Sequence, residues 1–361
     1  MMLGRVAIQL QRALRCLKLP TWERYIFLCW VGMLDMNSNK VIVNNLYNWT
    51  EDSDRDEELI YWVALNSIRN SIVLNMVNIL LKYSKPVSAL WSVDIDLLAN
   101  AVPLERDDVK KLRVKFGKIH LRDMANDVEH MRNEGLRIIP LSHPRYPRRL
   151  VDRSIDSHPA PLVLLEKGED INTMKSVAIV GTRNPSLKGR LSALEIADYF
   201  ARKGYIIISG LARGIDEFAH VGALSHDGGN TIGVLPWLGT LYPPEHESLS
   251  EDIIKRGMII SDAYHRSLSF ANKSRFIERN AIISGLSDFV IAIETDEEGG
   301  TIREAEIALK QGIQVYALHI VGNPRSERGY RKLTGMGAVG FENLAELEEL
   351  LSKSKGAATP S

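Results

Sequence analysis

Three short stretches of the chain join glycine to a cation or a hydroxyl: Gly181-Thr182-Arg183-Asn184, Ser209-Gly210-Leu211-Ala212-Arg213-Gly214, and Glu294 through Gly299-Gly300-Thr301. Glycine lets a backbone approach a ligand closely, and the first N–H groups of a helix that follows have no partner inside the helix. Such loops suit an anionic phosphate. Arg183 and Arg213 can add charge-assisted, two-pronged contacts. Gly181, Gly210 and Gly300 are the places where a ligand would near the main chain. Thr301 can cap a helix start or touch a phosphate. Taken singly, each loop is also an ordinary turn, so the weight falls on whether the fold brings them to one edge.

Covalent chemistry has less support. The spacing of Gly181, Gly189 and Gly210 makes no GxGxxG fingerprint, and no Walker A string occurs, so neither a dinucleotide nor a P-loop site is indicated. Asp216 and His220 stand four apart on one helix face, but no nucleophile accompanies them, and a capping or internal hydrogen-bonding role is expected. The other histidines lack metal-ligand spacing. Cys16 and Cys29 form no CxxC, which argues against a zinc site or a disulfide framework and for buried free thiols. No cofactor is expected.

The elements that must position these loops read clearly from Ser176 onward. Strands are expected at Ser176 to Val180, Tyr205 to Ser209, Thr231 to Leu235, Met258 to Ser261, Phe289 to Glu294 and Gln314 to His319. Helices alternate with them at Gly189 to Lys203, Ile215 to His226, Glu247 to Arg256, Phe276 to Ser284 and Thr301 to Gln311. Alternation with short, continuous apolar strands signals an α/β fold, a parallel sheet with helices on both faces. Ligands then bind beyond the carboxyl ends of the strands, which is where the three loops fall.

Upstream, residues 1–135 read as a smaller helical domain, with apolar residues at three- and four-residue spacing in Trp62 to Leu81 and Val109 to Met131. Residues 136–174 read as a connector that packs onto a domain at 175–353, with a tail at 354–361. The chain has 361 residues, 45% of them hydrophobic, enough for two domains. Its 45 Lys and Arg balance 45 Asp and Glu, so no overall basic excess advertises a nucleic-acid partner. The charge is uneven, however: Arg266, Lys273, Arg275 and Arg279 crowd one segment with Glu278 as its sole acid. The apolar run Tyr25 to Leu34 is well below the roughly 20 residues that span a bilayer, so no membrane association and a cytoplasmic location are expected.

The strings Val177-Ala-Ile-Val-Gly-Thr-Arg, Ser209-Gly-Leu-Ala-Arg-Gly-Ile-Asp, Ala219-His-Val-Gly-Ala-Leu, Leu241-Tyr-Pro-Pro-Glu-His and Phe276-Ile-Glu-Arg-Asn-Ala-Ile-Ile-Ser-Gly-Leu-Ser follow one another in an order that resembles the DNA-processing protein A (DprA/Smf) family. Tyr146-Pro-Arg-Arg-Leu resembles that family's connector, and residues 80–131 its helix-hairpin-helix-like (SAM-like) module. The resemblance implies a Rossmann-like domain that holds single-stranded DNA, forms a homodimer and loads a RecA-type recombinase in DNA recombination or DNA-mediated transformation, without covalent chemistry. Carried onto this sequence, it assigns the pocket to Arg183, Ser209, Gly210, Arg213, Arg279 and Asn280, with Lys273, Arg275 and Phe276 just ahead of the Arg-Asn pair. Arginines would grip phosphates while Phe276 either stacks a base or faces the core.

Some segments depart from the family pattern. Glu298-Gly-Gly-Thr-Ile-Arg-Glu is closer to the turn of lysine-decarboxylase-like nucleoside monophosphate phosphoribohydrolases, in which Glu304 would be the catalytic glutamate. That hydrolase is the alternative reading, and a nucleotide-sensing module without chemistry is a third. Ser261 to Phe270 replaces a proline-rich loop, and residues 101–107 lack the glycine of a DNA-gripping hairpin. The end of the chain shortly after Leu351 is expected to exclude an appended winged-helix domain. No counterpart is identified for residues 1–79.

Overall fold

The computed structural model describes residues 54–82, 86–91, 106–170, 175–267 and 273–357. The run Tyr25 to Leu34, both cysteines and residues 101–105 lie outside the described residues. In chain order the elements are helices α1 (Asp54–Ser67) and α2 (Ser71–Lys82), a 3-10 turn (Val87–Trp91), α3 (Arg106–Gly117), α4 (Leu121–Asn133), strand β1 (Arg137–Pro140), α5 (Arg148–Asp152), β2 (Val163–Gly168), β3 (Ser176–Gly181) and α6 (Leu187–Arg202). They continue with β4 (Ile206–Ser209), α7 (Ile215–Leu224), β5 (Thr231–Val234), α8 (Glu247–Arg256), β6 (Met258–Ser261), α9 (Lys273–Leu286), β7 (Phe289–Ile293), α10 (Gly300–Lys310), β8 (Val315–Leu318), α11 (Pro324–Gly335), β9 (Val339–Phe341) and α12 (Leu344–Ala357).

The chain divides into two compact units. One comprises Met1–Ile42 and Val87–Ile119, the other Val43–Pro86 and His120–Ser361. In the first, the described residues are the 3-10 turn and α3, where the rings of Trp91 and Phe116 meet edge-on at 5.2 Å. The second holds the sheet. Helices α1 and α2, grouped by sequence with the helical N-terminal region, therefore belong with the α/β unit.

Nine strands form the sheet among the described residues, in the order β1-β2-β6-β5-β4-β3-β7-β8-β9. From β6 to β9 every neighbouring pair is parallel, as the alternation of strands and helices predicts. The fold class is α/β and Rossmann-like. The connector adds more than packing: its strands β1 and β2 extend the sheet by two antiparallel pairings, β1 with β2 and β2 with β6. A strand written Phe-Val-Ile-Ala-Ile is buried along its whole length because helices cover both faces. On one face Ala193, Ile196, Phe200, Ile215 and Ala219 of α6 and α7 pack against Val177, Ile179, Ile207 and Ile291. Helices α9, α10 and α11 cover the other.

Strand order reverses at β3. Strands β4, β5 and β6 run outward on one side of it, and β7, β8 and β9 on the other. The crevice beyond the carboxyl ends of β3 and β7 is the topological switch point, where open α/β sheets place their ligands.

Candidate functional site

At that switch point lies a cavity of about 460 Å³. Gly181, Thr182 and Arg183 follow β3, Ala212 and Asp216 follow β4, and Thr295, Asp296, Gly299, Gly300 and Thr301 follow β7. Phe276, Ile277, Arg279 and Asn280 enter from α9, Tyr242 from the loop after β5, and Arg303 and Glu304 from α10. Its walls are thus drawn from five segments that are remote in sequence.

The loops hold their shape for definable reasons. Gly181 ends β3 so close to the Ile293 carbonyl and the Ile215 side chain that a Cβ would collide with both. Gly214 has φ +82°, in the left-handed region, and a side chain there would meet the Thr182 carbonyl. Leu211 and Glu294, in the turns out of β4 and β7, also sit at positive φ, 51° and 50°. For residues other than glycine this costs on the order of 1 kcal/mol or more, and such strain clusters at ligand sites. Glu294 is held there by its side chain: Oε2 accepts from the Ser186 N–H and hydroxyl, both at 2.8 Å, and Oε1 accepts from Asn323 at 3.0 Å. The turns after β3 and β7 are thereby locked together.

Electrostatically, the cavity centres on Arg279. Arg279 is 4% exposed, yet its Nε and one Nη have no hydrogen-bond partner among the described residues. The nearest counter-charge is Asp216, with Oδ2 at 3.6 Å from that Nη, which is an ion pair without hydrogen-bond geometry. Asp216 Oδ2 also accepts the Gly210 N–H at 3.2 Å. Burial pushes the Asp216 carboxyl up, opposed chiefly by Arg279. Burial likewise pushes Glu304 up to about 8, so it holds its proton at neutral pH. Three arginines, Arg183, Arg279 and Arg303, therefore share the cavity with three carboxyl groups, Asp216, Asp296 and Glu304.

Phe276 is half-buried, with the Arg183 guanidinium over its ring at 5.4 Å. Trp237 and Tyr242 meet it edge-on, at 5.7 and 6.0 Å between centroids. This aromatic group supports Arg183 and forms one wall.

Of the residues singled out by sequence, Gly181, Arg183, Phe276, Arg279, Asn280, Gly300 and Thr301 line the cavity. Ser209, Gly210, Arg213 and Arg275 stand elsewhere. Ser209 is fully buried, and its hydroxyl donates to the Ile179 carbonyl at 2.6 Å, tying β4 to β3. Gly210 lies behind Arg279, where a Cβ would occupy the space of its guanidinium. Arg213 is exposed and paired with Glu245. Lys273 opens α9, and Arg275 pairs with Glu278 at 3.0 Å. Thr301 is not the helix cap: α10 starts at Gly300 with Gly299 as its cap, which places Thr301 in the first turn. Asp216 and His220 do not pair. His220 Nδ1 meets Thr231 Oγ1 at 2.7 Å, and burial holds its ring neutral, with a value near 3.

Sequence reasoning missed Tyr242 and Arg303. Arg303 did leave a signal, because a cation near the positive end of a helix is unfavourable, and no acid in the first turn of α10 offsets it. Among the described residues no group of three or more His, Cys, Asp or Glu is placed to hold a metal ion, and no helix is long and apolar enough to cross a membrane.

The model of a family described as DNA recombination-mediator protein A matches residues 137–352. DNA processing protein DprA of Bacillus subtilis is 36% identical over 190 residues, 52% of this chain and 62% of that protein. More widely, the chain spans about half the length of the curated relatives it matches. The crystal structure of DNA processing protein A from Streptococcus pneumoniae superposes with a TM-score of 0.65 at 23% identity, covering 81% of this chain and 97% of that one. A structure of DNA processing protein A from Helicobacter pylori, reported for its single-stranded DNA binding mode, gives a TM-score of 0.53 at 27% identity over 61% of this chain and 96% of that one.

Proposed function

The chain belongs to the DNA recombination-mediator protein A family, and on that footing we propose that it binds single-stranded DNA in the switch-point cavity by its phosphodiester backbone. The observation that carries the reading is Arg279. A buried guanidinium with N–H groups lacking acceptors is costly, and a phosphate oxygen supplies the missing acceptor. Arg183 and Arg303 bring further cations to the same space, and the glycine turns at 181 and 299–300 let a strand come close. Among the described residues nothing lies within 4 Å of the position of a Cβ on Gly300, so that side of α10's first turn has room for a ligand.

We read the site as one for binding, on the strength of the unpaired buried donors of Arg279. The proposal is completed by a homodimer that loads a RecA-type recombinase in recombination or transformation, the role that the resemblance to this family implies.

A gel-shift series with single- and double-stranded oligonucleotides tests it. Three arginine–phosphate contacts give a slope of about −2 for log affinity against log salt, a loss of roughly 20-fold for a fourfold rise in salt. Single strands of any sequence should bind, and duplexes more weakly. Equal affinity for mononucleotides and long oligonucleotides would favour the sensing module instead.

A further inference from the structure

Glu304 is 6% exposed, and its Oε1 has no hydrogen-bond partner among the described residues. It lines the same cavity as Arg279, whose buried N–H groups also lack acceptors. The cavity therefore presents two unfinished groups of different kinds: a fixed cation with spare donors and a carboxyl with nothing to bond. Acting on the carboxyl are Arg279 from α9 and Asp216 from α7. Around the same space stand Arg183 after β3, Asp296 after β7, Tyr242 after β5, and Arg303 on its own helix.

Resting on the reading of this cavity as a phosphodiester site, we propose that Glu304 is a ligand-binding residue whose carboxyl O–H donates a hydrogen bond to a phosphate oxygen held by Arg279. A phosphodiester has lone pairs for both donors, so one group completes both. An amine ligand would suit the carboxyls but meet Arg279, and an apolar ligand would leave every buried donor unpaired. The carboxyl is held up at about 8 by burial, opposed by Arg279 and reinforced by Asp216. The proton is thus present below that value and lost as pH rises through it. Once ionised, Glu304 repels the phosphate and cancels the charge of Arg279. Strand capture is consequently coupled to uptake or retention of one proton.

The test is fluorescence anisotropy with a labelled oligodeoxyadenylate, whose bases do not lose a proton in the range, titrated with the full chain at constant ionic strength. If only the protonated form binds, affinity falls about 30-fold between pH 7 and about pH 9.5. Glu304→Gln keeps a donor and cannot ionise, so its affinity should stay flat as pH rises from 7 to about 9.5. Glu304→Met, neutral but without a donor, should be flat and weaker. A flat parent curve overturns the proposal without recourse to any variant, and so does a parent-like fall in either folded variant. A parent that binds no strand at any pH overturns the strand-binding reading itself, whereas pH-independent binding overturns only the role of Glu304.

Discussion

Replacing Arg183 and Arg279 together with alanine should weaken binding of single-stranded oligonucleotides by about a thousandfold, since each charge-assisted contact is worth about 1.5–3 kcal/mol. The two arginines act differently. Arg183 is exposed and stacked on Phe276, so it can reach a strand before the cavity fills. Arg279 is buried and set against Gly210 and Asp216, so it meets the phosphate without being ordered first. Arg183→Ala alone should leave the fold unchanged and weaken binding by roughly 10- to 100-fold. Arg279→Ala adds a stability cost because Asp216 loses its counter-charge in a buried site. Circular dichroism separates the two effects. A folded double variant that binds oligothymidylate as tightly as the parent at low salt would show that the cavity is not the strand site.

The largest effect on stability is expected at Arg69, which does not line the cavity. Arg69 lies between α1 and α2 and forms a buried ion pair with Asp262, whose side chain is fully buried, while its second Nη reaches Glu278 of α9 at 3.5 Å. Nearby, Asn66 accepts the Leu162 N–H at 2.9 Å and donates to the Asp262 carbonyl at 2.6 Å. Arg69→Ala leaves the buried Asp262 with Arg275, 4.0 Å away, as its remaining counter-charge and should cost about 3 kcal/mol, lowering Tm by roughly 10 °C. Replacing both partners with apolar residues, Arg69→Met with Asp262→Leu, should recover most of that loss. If the single variant melted with the parent, the ion pair would contribute nothing. Because Glu278 precedes Arg279 on α9, the same network also steadies the helix that carries Arg279 into the cavity.

How much of this could be read from the sequence depended on what each residue type determines. Strands such as Val177 to Val180 and Phe289 to Ile293 were legible because burial on both faces demands unbroken apolar runs. Strand β2 was not, since Pro159 and Pro161 before it read as an extended connector, and its antiparallel pairing with β6 is a tertiary choice. The placement of α1 and α2 was equally hidden: Asn66 and Arg69 fall in the stretch Trp62 to Leu81, read only for its apolar spacing, and their partners lie more than ninety residues away. At the site, strand ends revealed which loops converge but not where side chains point. Arg183 and Arg279 share the cavity, whereas Arg213, in an equally promising glycine loop, pairs with Glu245. Glu304 was legible as a motif position, but its neutrality depends on the burial that α9 and α7 impose.

The aromatic wall of the cavity has an optical consequence. Trp237 is 1% exposed, and it touches the rings of Phe276 and Tyr242, both of which line the cavity. The other tryptophans all precede residue 92. An occupant that shifts either ring changes the surroundings of Trp237, the one tryptophan among the described residues that touches the cavity wall, so the protein carries its own reporter of occupancy. A ligand-induced change in emission should be present in the parent and absent from Trp237→Phe.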